Sequence, residues 1–372
     1  MQELDELRQL TATVLAGAFA AAVAFGAIAQ RTHFCTMGAI ADIVNMGDWT
    51  RMRMWVLAIA VAVLGFNAMV AMEWVRAEHS LYAGPRILWL SLLCGGLMFG
   101  FGMVLASGCG SKNLVRAGAG NLKAWVVLLV LGLSAFATIK GITAVLRVAT
   151  VDRASVELPG RQDLPGLLAG ITGLSTPTIA GWLGLLVALA LTAWVLRAPS
   201  GRTANVWLGG AGIGAVIVVM WWISGRLGFV AEHPQTLEKA FLATNSRNME
   251  SLSMVAPVGF ALDWLLFFSD QSKTLTIGIV SMAGVVVGSA LMALASREFR
   301  WEGFANVEDT ANHLVGAVLM GVGGVTAYGC TIGQGLSGIS TLSLGSLLAV
   351  TAIVVGGVAG LRYQIWRMDR LA

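Results

Sequence analysis

Tyr328-Gly329-Cys330-Thr331-Ile332-Gly333-Gln334-Gly335 interrupts an apolar run and sets one cysteine among three glycines. A near-copy occurs earlier, at Ser107-Gly108-Cys109-Gly110-Ser111-Lys112-Asn113. Cys109 and Cys330 stand 221 residues apart (330 − 109), and the chain repeats in that register. Gly38 meets Gly259, Asp42 meets Asp263, Arg76 meets Arg297, Gly95 meets Gly316 and Gly102 meets Gly323. Glycine matches alone come easily in a chain with 46 glycines, but one ungapped offset that also pairs Asp, Arg and Cys implies a duplication. A third cysteine lies in Arg31-Thr32-His33-Phe34-Cys35, and the offset carries it onto Ala256, which Pro257 follows.

The surrounding composition belongs to a membrane. Of 372 residues 57% are hydrophobic and 12% charged, against about 25% charged in soluble domains. The net charge of +4 fits lysines and arginines in cytoplasmic loops better than a nucleic-acid surface. Three tyrosines supply few stacking platforms for single strands. A cleavable signal is not expected, because Glu3, Asp5 and Glu6 outweigh Arg8 where a signal is basic.

Crossing the hydrocarbon takes roughly 20 apolar residues. That length predicts about nine spans, near 10–30, 53–72, 87–106, 123–147, 178–197, 204–224, 274–295, 312–328 and 343–365. Tryptophans near span ends, at Trp55, Trp89, Trp125, Trp221, Trp222 and Trp366, read as interfacial belts. Four shorter pieces, 36–46, 111–120, 254–268 and 332–341, read as re-entrant half-helices, tolerated only where protein or a cavity surrounds them. The expected fold is therefore an all-α polytopic membrane protein. Its parts are a first repeat at 1–147, a connector with a linking span at 148–203 and a second repeat at 204–372. Polar residues and Pro159, Pro165 and Pro177 mark 148–177 as extramembrane, and 225–253 reads as a surface excursion. Five spans separate the starts of the repeats, so the second copy is inverted, as in transporters whose site lies at the repeat interface.

Half-helix starts present free N–H groups and partial positive charge, which suit an anion. The equivalent positions just before the turns are Cys35, Cys109, Ala256 and Cys330. Gly108, Gly110 and Gly329 let backbone approach a solute, Thr331 and Gln334 offer hydrogen bonds, and Arg31 and Lys112 attract an anion to the mouth. Thiols are soft and weak donors, which favours a polarisable sulfur anion that must also leave each station. Cys94 reads as a small apolar filler. Asp42 and Asp263 read as caps or partners of arginine. Arg31 and Lys112 have a bland alternative as snorkelling loop charges.

The segments around Cys35, Cys109 and Cys330, taken with the repeat, resemble the YeeE/YedE family of sulfur-compound membrane transporters. The resemblance implies thiosulfate uptake through a relay of S–H···S contacts at Cys35, Cys109 and Cys330. It also implies a bacterial inner membrane and a small TusA-like sulfurtransferase as partner. No cofactor or metal is expected. No Walker motif is present, so ATP hydrolysis is not expected here. A membrane thiol redox or sulfur-relay protein is the alternative, with Cys109 and Cys330 as its pair. The missing C-x-x-C weighs against it. A Cu(I) channel would need methionine clusters, and the 16 methionines are scattered. Loop lysines and arginines place the N-terminus outside and the C-terminus inside.

Overall fold

A computed structural model describes residues 2–371 apart from 159 and 235, so Pro159 of the connector lies outside the described residues. The chain forms α1 (Gln2–Thr32), α2 (Thr36–Met46), α3 (Thr50–Ala71), α4 (Trp89–Leu105), α5 (Gly110–Gly118), α6 (Leu122–Lys140) and α7 (Ile142–Ala149). After the connector come α8 (Leu164–Thr172), α9 (Thr176–Leu196), α10 (Ala204–Trp222), α11 (Ala256–Leu266), α12 (Ile277–Ala295), α13 (Val307–Thr326) and α14 (Leu344–Leu371).

Eight helical segments among the described residues are long and apolar enough to cross a membrane, one fewer than the spacing predicts. The difference is α13. Asn306 caps it, and Glu308 and Asp309, ahead of the expected span, lie inside the helix together with His313. Those polar turns dilute its apolar length. The span expected over 123–147 also divides: α6 ends at Lys140, and extended backbone at Gly141 separates it from α7.

Of the four short pieces, α2, α5 and α11 are helices of 11, 9 and 11 residues. The fourth differs from expectation, because Gly333–Gly338 winds as π-helix. Its three glycines, Gly333, Gly335 and Gly338, carry no Cβ to hold the tighter α winding against crowded neighbours.

The polar segments carry the only strands among the described residues. Arg86–Ile87 pairs with Val156–Glu157, and Phe229–Val230 pairs with Ala240–Phe241. The connector therefore packs down on the membrane part. Asp163, fully buried, caps α8 through Gly166 N at 2.9 Å.

Helix packing occurs in matched pairs, and the 221-residue offset carries α3 onto α12, α4 onto α13 and α6 onto α14. α1 lies along α12 as α10 lies along α3, and α4 lies along α14 as α6 lies along α13. α4 and α13 cross on glycine. A Cβ on Gly95 would fall 2.7 Å from Gly323 O, and one on Gly316 would fall 2.6 Å from Gly102 O. The contact is reciprocal, so a side chain at either site would force the helices apart, as at small-residue crossings in membranes generally.

The two cysteine turns also match bond for bond. Gly108 N donates to Met103 O at 2.8 Å and Gly329 N to Gly324 O at 2.9 Å. Ser107 and Tyr328 both adopt left-handed backbone, with φ of 54° and 55°. Asn113 N reaches Cys109 O at 3.0 Å, and Gln334 N reaches Cys330 O at 2.8 Å. These are the reversals that let an apolar helix stop and restart with its carbonyls satisfied.

Candidate functional site

Each cysteine of interest is held at a helix break. Cys35 caps α2 from an extended backbone (φ −161°), and its Sγ accepts Gly38 N at 3.3 Å. Gly47, at φ 67°, closes the other end of α2. Cys109 caps α5, and its Sγ lies 3.2 Å from Ser111 Oγ. The Cys35 and Cys109 side chains lie close enough to interact. The Thr331 hydroxyl, buried and without a hydrogen-bond partner among the described residues, is a further neighbour of the Cys109 thiol. The second turn therefore reaches the first through Thr331.

Cys330 is fully buried, and its Sγ accepts Gly333 N at 3.5 Å. It precedes the π-helical turn rather than an α-helix. Gln334 is locked by Nε2 donating to Ala327 O at 2.7 Å, and its Oε1 has no hydrogen-bond partner among the described residues. Gly329 adopts φ 156°, and a Cβ there would sit 3.0 Å from Gln334 Cγ. Gly110 lies so close to Met254 that a Cβ would fall 2.9 Å from its carbonyl oxygen, whereas Gly108 faces only the flexible Lys112 stem. The fourth equivalent position differs slightly from expectation. Ala256 is the first residue of α11, Val255 is its cap, and Pro257 is second.

Ala256 and Gly329 line a cavity of about 220 Å³ together with Tyr82, Glu250 and Ser253. Tyr82 lies toward Gly333, where a Cβ would approach its hydroxyl to 3.4 Å. Burial pushes the Glu250 carboxyl above the usual carboxylate range, against hydrogen bonds from Ser246 and Asn245. Burial likewise pushes the Tyr82 phenol up. A second cavity of about 270 Å³ lies beside Gln334, Ser343 and Ser346 and shares Tyr82 and Tyr328.

Cations gather at the other end. Arg31 is exposed and His33 lies near it and Lys112. Arg116 is engaged, donating to Ser107 O at 2.9 Å. Asp42 pairs with Arg51 at 3.2 Å, as expected, but Asp263 pairs with Lys140 and Lys273 rather than arginine. The offset carries Arg51 onto Ser272, so the neighbouring Lys273 takes the role.

Two tryptophans assigned to the membrane interface are core residues. Trp221 is fully buried and donates Nε1–H to Ser340 Oγ at 3.0 Å, while Trp55 packs against Gly335. Trp89, Trp125, Trp222 and Trp366 are exposed, as an interfacial belt requires. Tyr82, Ser253 and Trp55 had no local signal. They reach the turns from loops and spans distant in sequence. Asn67, a lone amide inside an apolar span, was a usable hint: it donates to Ser340 O at 3.0 Å and braces the second turn.

The geometry thus brings Cys35, Cys109, Thr331 and Lys112 together and holds Cys330, Gly329 and Gln334 in the adjoining turn. Arg31 stands apart at the surface. Soft thiols, amides and one ammonium suit a small polarisable anion.

A sequence profile described as sulphur transport matches residues 31–359. The chain is 26% identical over 351 residues to the thiosulfate transporter TsuA of Escherichia coli, covering 92% of each chain. To TsuA of Spirochaeta thermophila it is 27% identical over 346 residues, covering 89% of this chain and 93% of the relative. The probable transporter YedE of Escherichia coli is 31% identical over a shorter stretch of 107 residues.

Proposed function

Since the chain belongs to the sulphur transport family, we propose that it imports thiosulfate, or a closely similar sulfur anion, through a constriction lined by Cys35, Cys109 and Cys330. The observation that carries this reading is the meeting of Cys35, Cys109 and Thr331 at the junction of two matched chain reversals. A solute passing there exchanges weak S–H contacts one at a time while backbone N–H groups at α2 and α5 balance its charge.

The architecture behind this is an inverted duplication, with α2, α5, α11 and the π turn as re-entrant half-helices. The matched reversals, the exchanged helix packing and the reciprocal glycine crossing support it. The division into 1–147, 148–203 and 204–372 rests on the same symmetry. Lysine and arginine in the loops at the Lys112 end favour that end as cytoplasmic, where a TusA-like sulfurtransferase would collect the anion. The cavity with Tyr82 and Glu250 is then the outer mouth.

Uptake of labelled thiosulfate, against sulfate and sulfite, in cells producing wild type or Cys330→Ala tests the reading. The expected result is loss of thiosulfate uptake in the variant and little sulfate uptake by either. Wild-type sulfate uptake equal to that of thiosulfate would remove the reason for thiols.

A further inference from the structure

Lys112 is the third residue of α5. A cation in the first turn of a helix faces the positive end of the helix dipole and is disfavoured there. Lys112 is half-buried as well, and among the described residues it makes no ion pair or side-chain hydrogen bond. Its neighbours Arg116, Arg51 and His33 include no anion, and the Cys35 and Cys109 side chains lie within electrostatic reach of its ammonium. Arg51 is neutralised by Asp42 and Arg116 is tied to a carbonyl, so the charge of Lys112 is the uncommitted one. The repeat carries Lys112 onto Gly333, where a Cβ would already crowd Ser253 Oγ at 2.9 Å. The second turn itself therefore carries no lysine, and the cation that lines the cavity beside it, Arg147, is paired with Asp152 at 3.1 Å.

We propose that Lys112 is the residue that selects doubly charged anions, by making the Cys35–Cys109 end of the thiol row the station that holds a dianion most tightly. This rests on the thiol-lined path proposed above. A single fixed charge attracts a dianion with twice the energy it exerts on a monoanion at the same place. Removing it therefore squares the loss: where monoanion binding falls about 10-fold, dianion binding falls about 100-fold. A lysine retained only for packing along its stem would change both by the same factor.

The test uses the full chain in proteoliposomes at constant ionic strength, with labelled thiosulfate as the dianion and thiocyanate as a competing monoanion. Wild type is compared with Lys112→Gln, Lys112→Met, Lys112→Arg and Cys109→Ala. Both neutral variants are expected to raise the half-saturation concentration for thiosulfate by about the square of the factor by which the thiocyanate inhibition constant rises. Lys112→Arg should stay within a few-fold of wild type. Thermal unfolding midpoints of the neutral variants should equal or exceed wild type, since the unfavourable dipole contact is gone. Equal factors for both anions, or none, with uptake still lost in Cys109→Ala, would overturn the role of Lys112 and leave the thiol path standing. Undiminished uptake in Cys109→Ala would remove the path itself.

Discussion

The turn at Ser107–Asn113 and the turn at Tyr328–Gln334 share a backbone and differ in what they carry. Both reverse the chain at a left-handed residue, and both return the next amide to the fifth carbonyl back. The first then restarts as regular α-helix with Ser111 and Lys112 in its opening turn. The second has Ile332 and Gly333 at those places and winds as π-helix. Backbone geometry is what the two turns have in common. Polarity is what diverged, and with it the electrostatics of the two ends: an unpaired ammonium beside Cys109, and a buried carboxyl, Glu250, beyond Cys330.

The comparison can be broken most sharply at its glycines. Gly329→Ala should destabilise by on the order of 3 kcal/mol, since a side chain at φ 156° is strained and also meets Gln334. Gly108→Ala should cost under about 1 kcal/mol, because only the movable Lys112 stem lies in the way. Thermal unfolding in detergent measures both, and equal losses would mean that the turns are held alike.

A smaller effect is expected at the amides. Asn113 Nδ2 donates to both Gly108 O and Cys109 O, at 2.9 and 3.1 Å, whereas Gln334 makes one such bond. Asn113→Ala should cost about 2 kcal/mol and Gln334→Ala about half that. The same unfolding assay orders them.

The smallest effect is the one that pH reveals. Burial raises the Glu250 carboxyl, so its neutral form is the one the folded state favours. Its contribution is complete below the unfolded value of about 4.3 and is lost as pH rises through the folded one. The unfolding midpoint of wild type should therefore fall over that window relative to Glu250→Gln. Parallel profiles would show that the carboxyl is already solvated.

Much of this molecule was legible before any coordinates. The breaks at the cysteine turns, the short helix over 36–46 and the pairing of Asp42 with arginine followed from spacing and residue type. The misreadings have one origin. Trp221 and Trp55 lie where interfacial tryptophans lie, yet one bonds Ser340 and the other packs on Gly335. Glu308 and Asp309 lie ahead of the expected span, yet they belong to α13, with Lys123 paired to Asp309 at 3.0 Å. In each case a partner more than a hundred residues away decided the outcome.

Sequence by itself determined most of the apolar spans and the family, because these rest on composition and motifs carried along the chain. Tertiary structure alone decided that Cys109 meets Cys35 and Thr331, that the fourth short piece winds as π-helix and that Lys112 stands unpaired between cations. Those depend on which side chains two reversals bring face to face, and facing is a property of packed helices rather than of any stretch of chain.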